Sequence, residues 1–244
     1  MAFGDVVSSD VVGYAGAALR GGNQAAGVGG AFVNVDGSDL TLGDLTVVGY
    51  NTTDGYADFE IQAKQLDGYG RGGITYYWID VTVENETYKG WYNDDASEDL
   101  GDLALLPGEG LWVYSPSTSY SVQSAGAVSK TPIAVTLRGG NQAKMVSNPM
   151  PATLTLGDIT ITGYNSEDGY ADFEIQAKKL DGYGRGGTTY YWIDAEVDEE
   201  TYYGWYNDDA SVDYSDVEVA AGEGLWIYSP STAYSVVFPS PLAE

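Results

Sequence analysis

The chain has 244 residues, no cysteine and no histidine, and its 36 acidic against 10 basic side chains give a net charge of −26. Without Cys or His it cannot form disulfides, thiolate or imidazole metal sites, or a catalytic site built on a histidine base. The acidic balance opposes binding to nucleic acid and to anionic membranes, because both require clustered Lys and Arg.

Strand patterns follow one another from the start of the chain, and no convincing helix pattern occurs. A Val-rich segment, Asp5–Leu19, comes first, and Ala57–Lys64 alternates strictly between apolar and polar residues. Such alternation predicts a half-buried strand. Segments rich in β-branched and aromatic residues follow the same pattern. They are Leu45–Tyr50, Ile74–Val83, Thr87–Tyr92, Leu103–Leu105, Leu111–Tyr114 and Tyr120–Val122.

Turn signals rich in Gly, Asn, Asp and Pro separate these segments. Several short strands with turns between them are typical of an antiparallel sandwich or a small barrel. The sequence therefore predicts an all-β fold, built as an antiparallel β-sandwich or a small β-barrel.

The same pattern of strands and turns occurs twice in the chain. Residues 41–122 align with residues 155–236 without a gap, and 60 of the 82 positions are identical. The segment LRGGNQA also recurs, at Leu19–Ala25 and Leu137–Ala143. Self-similarity at a long period indicates two copies of one folding unit. We predict two tandem homologous domains, repeat 1 (residues 1–127) and repeat 2 (residues 128–244).

Clustered oxygen ligands suggest a possible calcium site. Asn and Asp residues recur at equivalent positions of the two repeats, and oxygen-rich loops suit a hard cation. They are Asn93, Asp94, Asp95 and Asp99 in repeat 1, and Asn207, Asp208, Asp209 and Asp213 in repeat 2. No EF-hand spacing is present, and Asn and Asp are also good turn residues. The sequence requires no cofactor and permits Ca²⁺.

Aromatic residues suggest a binding surface. The chain has 21 Tyr and 6 Trp but 5 Phe, and Tyr and Trp combine an apolar body with a polar tip. Neighbouring aromatics on one strand face opposite sides, so one of each pair lies outside that sheet's core face. Trp91 and Tyr92, with Trp205 and Tyr206, are ligand-binding candidates for a surface glycan. The interpretation that the pattern favours is a core with a cross-strand aromatic ladder.

The ordered motifs LRGGNQA, SNPMPATLTLGDI, GWYNDD and GEGLWVYSPST, followed by a terminal SVVFP, cover most of the chain. In these motifs the chain resembles a group of uncharacterised secreted bacterial proteins, in which a β-rich unit ending in a GEGLWV-type strand often occurs in tandem. The resemblance implies a β fold and export. Because of this implied export we expect a secreted or cell-surface protein. No signal peptide is visible in the sequence, so we expect the precursor to carry one.

Three functions are compatible with the sequence. The first is a non-catalytic structural protein that assembles with its own copies into a fibre, layer or coat through terminal strands. The strand residues expected to do this are Val11, Val12, Val236 and Phe238. The second is a carbohydrate-binding or adhesive module using exposed Trp and Tyr. The third is a glycoside hydrolase with paired Asp or Glu. We predict no enzyme, no nucleic-acid partner and no membrane insertion.

Overall fold

The computed structural model describes residues 8–19, 24–29, 37–50, 61–64, 73–115, 119–140, 142–164, 175–179, 187–229, 233–240 and 242. Within these residues the chain is all-β, as predicted. The strands of repeat 1 are β1 (Ser8–Leu19), β2 (Gln24–Gly29), β3 (Leu40–Thr41), β4 (Thr46–Val48), β5 (Ile61–Lys64), β6 (Thr75–Val83), β7 (Glu86–Tyr92), β8 (Ala104–Leu105), β9 (Gly110–Ser115) and β10 (Tyr120–Ser129).

Repeat 2 has the same order of strands. They are β11 (Ile133–Leu137), β12 (Gln142–Ser147), β13 (Leu154–Thr155), β14 (Thr160–Thr162), β15 (Gln176–Lys179), β16 (Thr189–Val197), β17 (Glu200–Tyr206), β18 (Glu218–Val219), β19 (Gly224–Ser229) and β20 (Tyr234–Phe238). One short 3₁₀ turn lies in each repeat, at Leu42–Asp44 and at Leu156–Asp158.

Each repeat builds the same three antiparallel sheets. A three-stranded sheet has the order β1-β10-β4 in repeat 1 and β11-β20-β14 in repeat 2. A five-stranded sheet has the order β2-β9-β5-β6-β7 or β12-β19-β15-β16-β17, and β3-β8 or β13-β18 form a short third sheet. None of these sheets closes on itself among the residues described. The arrangement is therefore sandwich-like, and the predicted barrel alternative is not seen.

Strict alternation places the core between the three-stranded and five-stranded sheets. In β5, Ile61 and Ala63 are buried, while Gln62 and Lys64 lie on the outer face. In β9, Leu111 and Val113 join the same buried cluster. Burial of these apolar side chains is the main favourable term in folding. The predicted alternation is confirmed for 61–64, and residues 57–60 lie outside the described residues.

The two repeats contact each other through equivalent turns. A Cβ placed on Gly108 would stand 2.7 Å from Val135 Cγ2 in β11, and one on Gly222 would stand 2.9 Å from the Ala15 Cβ in β1. Each repeat therefore inserts its β8–β9 or β18–β19 turn against the first strand of the other. The division into two domains stays a prediction, and its boundary at 127/128 falls inside β10.

Candidate functional site

The predicted calcium ligands shape their own turns. Asn93 Oδ1 accepts the Glu98 N–H at 3.1 Å, Asp95 Oδ1 accepts the Ser97 N–H at 3.1 Å, and Asp99 Oδ1 accepts a backbone N–H two residues on. Asn207, Asp209 and Asp213 repeat these bonds in repeat 2. Hydrogen bonds from Ser97 lower the pKa of Asp95, and those from Ser211 lower the pKa of Asp209. In each case the bond from the serine side chain has the larger effect and the bond from its backbone N–H the smaller one.

The Asn and Asp side chains of these turns are poorly placed to bind a cation. Asn and Asp stabilise turns by accepting N–H groups a few residues along the chain, which is the role seen here. Among the described residues, no group of three or more acidic side chains is placed to hold a metal ion. Asp94 and Asp208 occupy the same turns and are exposed. Calcium binding therefore stays a prediction without support from this geometry.

Two of the predicted ligand-binding residues are core residues. Trp91 and Trp205 are 0% exposed, because their strand positions face the interior of each sandwich. Trp91 packs edge-on against Trp78, with ring centroids 5.4 Å apart, and Trp205 packs against Trp192 in the same way. Their assignment as ligand platforms is wrong, since a buried indole presents no face to a ligand.

The outer face of each five-stranded sheet carries a group of half-buried aromatic residues. Positions that share this face are set by the strand register, because directly paired residues point the same way. We call the resulting sets aromatic face 1 (Tyr77, Tyr92, Trp112 and Tyr114) and aromatic face 2 (Tyr191, Tyr206, Trp226 and Tyr228). All eight side chains are half-buried. The predicted residues Tyr92 and Tyr206 belong to these faces.

A stacked pair of rings recurs at the same place in both faces. Trp112 and Tyr114 lie two residues apart on β9, with ring centroids 5.4 Å apart and planes 6° from parallel. Trp226 and Tyr228 on β19 repeat this arrangement at 5.5 Å and 10°. Offset stacking of this kind holds each ring in place. Both repeats therefore present the same rigid aromatic pair.

Polar side chains lie beside each stacked pair. In repeat 1, Gln62 is paired across the ladder with Tyr114, and Lys64 with Trp112. Gln176 and Lys178 hold the equivalent positions opposite Tyr228 and Trp226 in repeat 2. Amide and ammonium groups next to aromatic rings supply hydrogen bonds where the rings supply apolar area. Each face thus combines both kinds of contact.

Sequence reasoning missed the stacked pairs although a signal was present. In Leu111–Tyr114 the residues alternate apolar and aromatic, and the two aliphatic residues are buried. Period-2 alternation then places Trp112 and Tyr114 outward. For Trp91 the signal was weaker, because the neighbouring residues Gly90 and Tyr92 do not mark an inner or an outer face.

A phenol–carboxylate pair links two parts of each sandwich. The Tyr164 hydroxyl donates to Asp194 Oδ2 at 2.5 Å, and Tyr50 donates to Asp80 in the same way. Burial, together with the hydrogen bond to Asp194, raises the pKa of Tyr164 to about 12. Lys89 Nζ lies 3.2 Å from Asp80 Oδ2, whereas repeat 2 has Tyr203 at the position of Lys89. These pairs hold neutral phenols, which suits a structural role.

Of the predicted assembly residues, two are interior and two are exposed. Strand β20 lies between β11 and β14, and its Val236 and Phe238 are buried in the core of repeat 2. Their prediction as assembly residues is wrong, because both edges of β20 are paired within the chain. Val11 and Val12 in β1 are exposed, at 48% and 63%.

The fold and the faces define an all-β, sandwich-like protein with a duplicated aromatic surface. Comparison with known proteins adds no relative: the chain matches no protein-family model, no curated protein and no solved structure. Within the described part of the chain, no helix is long and apolar enough to cross a membrane.

Proposed function

We propose that this chain is a non-catalytic carbohydrate-binding protein that uses aromatic faces 1 and 2. The observation that carries the proposal is the recurrence of one stacked Trp–Tyr pair, with nearly the same geometry, on the outer face of both five-stranded sheets. The pair recurs because Trp and Tyr stand at the same aligned positions of both repeats. A repeated arrangement fits a ligand that is itself built from repeated units.

The chemistry of the faces suits sugar rings. Tyr and Trp offer a large, rigid contact area at a small cost in conformational entropy. Apolar sugar C–H groups pack on such rings, while Gln62 and Lys64 can bond to hydroxyl groups. The net charge of −26 would repel an acidic glycan. The proposed ligand is therefore a neutral polysaccharide.

Titration calorimetry with a panel of neutral and acidic soluble polysaccharides tests this function. Trp112→Ala and Trp226→Ala should each weaken binding by about tenfold or more, because aromatic anchors dominate such interfaces. Tyr14→Ala is the matched control, since Tyr14 is an exposed aromatic (58%) on the three-stranded sheet of repeat 1. Binding should also be insensitive to NaCl. No binding to any neutral polysaccharide would overturn the proposal.

Self-assembly as an exported surface protein is a second candidate, favoured by one asymmetry between the repeats. Val12 and Tyr14 are exposed on β1 of repeat 1, whereas the LRGGNQA alignment places Lys130 and Pro132 at these positions in repeat 2. Val12 and Tyr14 lie on one face of β1, and an exposed apolar surface of this kind suits contact with another protein. The partner would be a second copy of the chain.

Light scattering over a concentration series tests self-assembly. The wild-type protein should gain mass with concentration, and Val12→Lys, which installs the residue of repeat 2, should shift it toward the monomer. A monomer at every concentration would reject this candidate and leave the carbohydrate proposal unaffected.

A further inference from the structure

The two stacked pairs lie close to the contact between the repeats. Strand β9 contacts both β12 and β19, and β2 contacts the same two strands. A Cβ placed on Gly110 in β9 would stand 2.6 Å from Met145 Cγ in β12. The start of β9 therefore contacts the edge strand β12 of the other five-stranded sheet, where Glu109 and Val146 form an antiparallel bridge.

The strand registers place both tryptophans near that contact. Trp112 follows Gly110 by two residues on the same face of β9, a distance of roughly 7 Å along a strand. Trp226 is paired directly with Met145 across the β12–β19 ladder, about 5 Å away. The Cα atoms of Trp112 and Trp226 are thus no more than about 20 Å apart. Several linked sugar rings can span this distance.

The relative position of the two faces is fixed by more than packing. Ser147 N–H donates to the Gly108 carbonyl at 3.0 Å, and Ser147 Oγ donates to the Glu109 carbonyl at 3.0 Å. Lys144 Nζ and Glu109 Oε1 form an ion pair at 3.3 Å, with 11% and 5% of the two side chains exposed. A buried pair with neighbouring hydrogen bonds constrains geometry. The relative position of the two faces is therefore set before a ligand binds, and binding does not carry the entropy cost of fixing it.

We infer that aromatic faces 1 and 2 act as one composite site, which binds a single neutral polysaccharide strand across the contact between the repeats. This inference rests on the proposed carbohydrate-binding function and adds the form of the ligand. A linear chain several sugars long would contact both stacked pairs at once. A monosaccharide would reach one pair only and bind weakly.

The stoichiometry and chain-length dependence of binding test the composite site. Oligosaccharides of increasing length, taken from the tightest-binding polysaccharide of the panel, should bind one per protein chain. Affinity should rise with length until both pairs are spanned and then level off. Trp112→Ala and Trp226→Ala should each remove this length dependence, and the double variant should lose less affinity than the sum of the two single losses. Circular dichroism and urea unfolding of each variant confirm that it is folded.

Three outcomes would overturn the composite site. Two equivalent oligosaccharides per chain, with Trp112→Ala leaving one site intact, would show independent faces and leave the carbohydrate function standing. Absence of any binding would remove both proposals. A dimer in light scattering that dissociates in Trp112→Ala, without sugar binding, would show that a second copy of the chain covers the faces.

Discussion

Gly108 and Gly222 are equivalent turn residues at which each repeat closely approaches the other. Both have positive φ, at +79° and +72°, and an added Cβ would overlap a side chain of the other repeat. Two separate physical effects therefore favour glycine at both positions. The left-handed conformation disfavours any Cβ, and the contact leaves no space for one.

Substitution of these glycines separates the two effects. Gly108→Ala should lower the free energy of unfolding by roughly 2–4 kcal/mol, which combines backbone strain with overpacking against Val135. Gly49→Ala is the matched control, because Gly49 has φ +81° and no atom within 4 Å of the added Cβ. It should cost about 1–2 kcal/mol, from backbone strain alone. Equal losses in urea unfolding would show that the contact between repeats is not tight.

Buried phenols are a second feature at the residue scale. The hydroxyl of Tyr234 has no hydrogen-bond partner among the described residues, while Tyr164 donates to Asp194. Burial raises the pKa of Tyr234 far above its ordinary value, and the pKa of Tyr164 is about 12. Burial is the main cause in both tyrosines, and the hydrogen bond to Asp194 adds to it only in Tyr164.

The two tyrosines should respond differently to loss of the hydroxyl. Tyr234→Phe should be neutral or stabilising at pH 7, because it removes an unsatisfied polar atom. Tyr164→Phe should cost roughly 1–3 kcal/mol, because it leaves a part-buried carboxylate without its donor. Urea unfolding of both variants measures this. A larger loss in Tyr234→Phe than in Tyr164→Phe would contradict the assignment.

Stability should fall as the pH rises above 10. An unfolded tyrosine ionises near pH 10, whereas Tyr164 in the folded chain keeps its proton to about pH 12. The folded state therefore binds more protons than the unfolded state between pH 10 and 12. The stabilisation that results from the raised pKa of Tyr164 is fully present below pH 10 and is lost as the pH rises through 12. Unfolding free energies measured from pH 8 to 12 should show this decline, and Tyr164→Phe should show a shallower one. An identical slope in the variant would contradict it.

At the scale of elements, β12 differs from its counterpart β2 by one buried charge. Lys144 on β12 pairs with Glu109, and the LRGGNQA alignment places Ala26 at this position in repeat 1. A buried ion pair need not stabilise a fold in total, but loss of one partner leaves the other charge uncompensated. Loss of either partner should therefore weaken the contact between the repeats at this point.

Substitution of Lys144 measures how much the ion pair with Glu109 contributes to stability. Lys144→Met keeps the length of the side chain and should cost about 3–5 kcal/mol, because the Glu109 carboxylate remains buried. Lys144→Met combined with Glu109→Met should recover part of the loss. Lys89→Met, at the exposed pair with Asp80, is the control and should change stability little. A Lys144→Met variant as stable as the control would show that water reaches the pair.

At the scale of the whole molecule, several contacts join the two repeats. Reciprocal turns, the hydrogen bonds of Ser147 and the buried ion pair all cross from one repeat to the other. Contacts of this kind couple the unfolding of the parts that they join. The repeats should consequently melt together, although each has its own core.

Calorimetry should show one thermal transition in which the van't Hoff and calorimetric enthalpies agree. Gly108→Ala weakens the contact between repeats without changing the core of repeat 1, so it should broaden or split that transition. Gly49→Ala should lower the midpoint and keep one transition. Two transitions in the wild-type protein would show that the repeats fold independently.

The sequence determined the local structure of this protein, because alternation of side chains along a strand is a short-range property. The period-2 pattern predicts the strand around Ile61 and Ala63, and the alignment of the repeats predicts that its partner strand recurs in repeat 2. The turn chemistry of Asn93 and Asp95 was also readable, since these side chains bond to backbone groups a few residues away.

Only the tertiary structure decided that Trp91 lies in the core and that Val236 belongs to a central strand. Burial of Trp91 depends on the sheet that covers it, and the interior position of Val236 depends on β11 and β14, which are distant in sequence. The contact of Gly110 with Met145 likewise joins residues whose types carry no signal for each other. Such pairings follow from packing of whole sheets, and a local pattern holds no information about them.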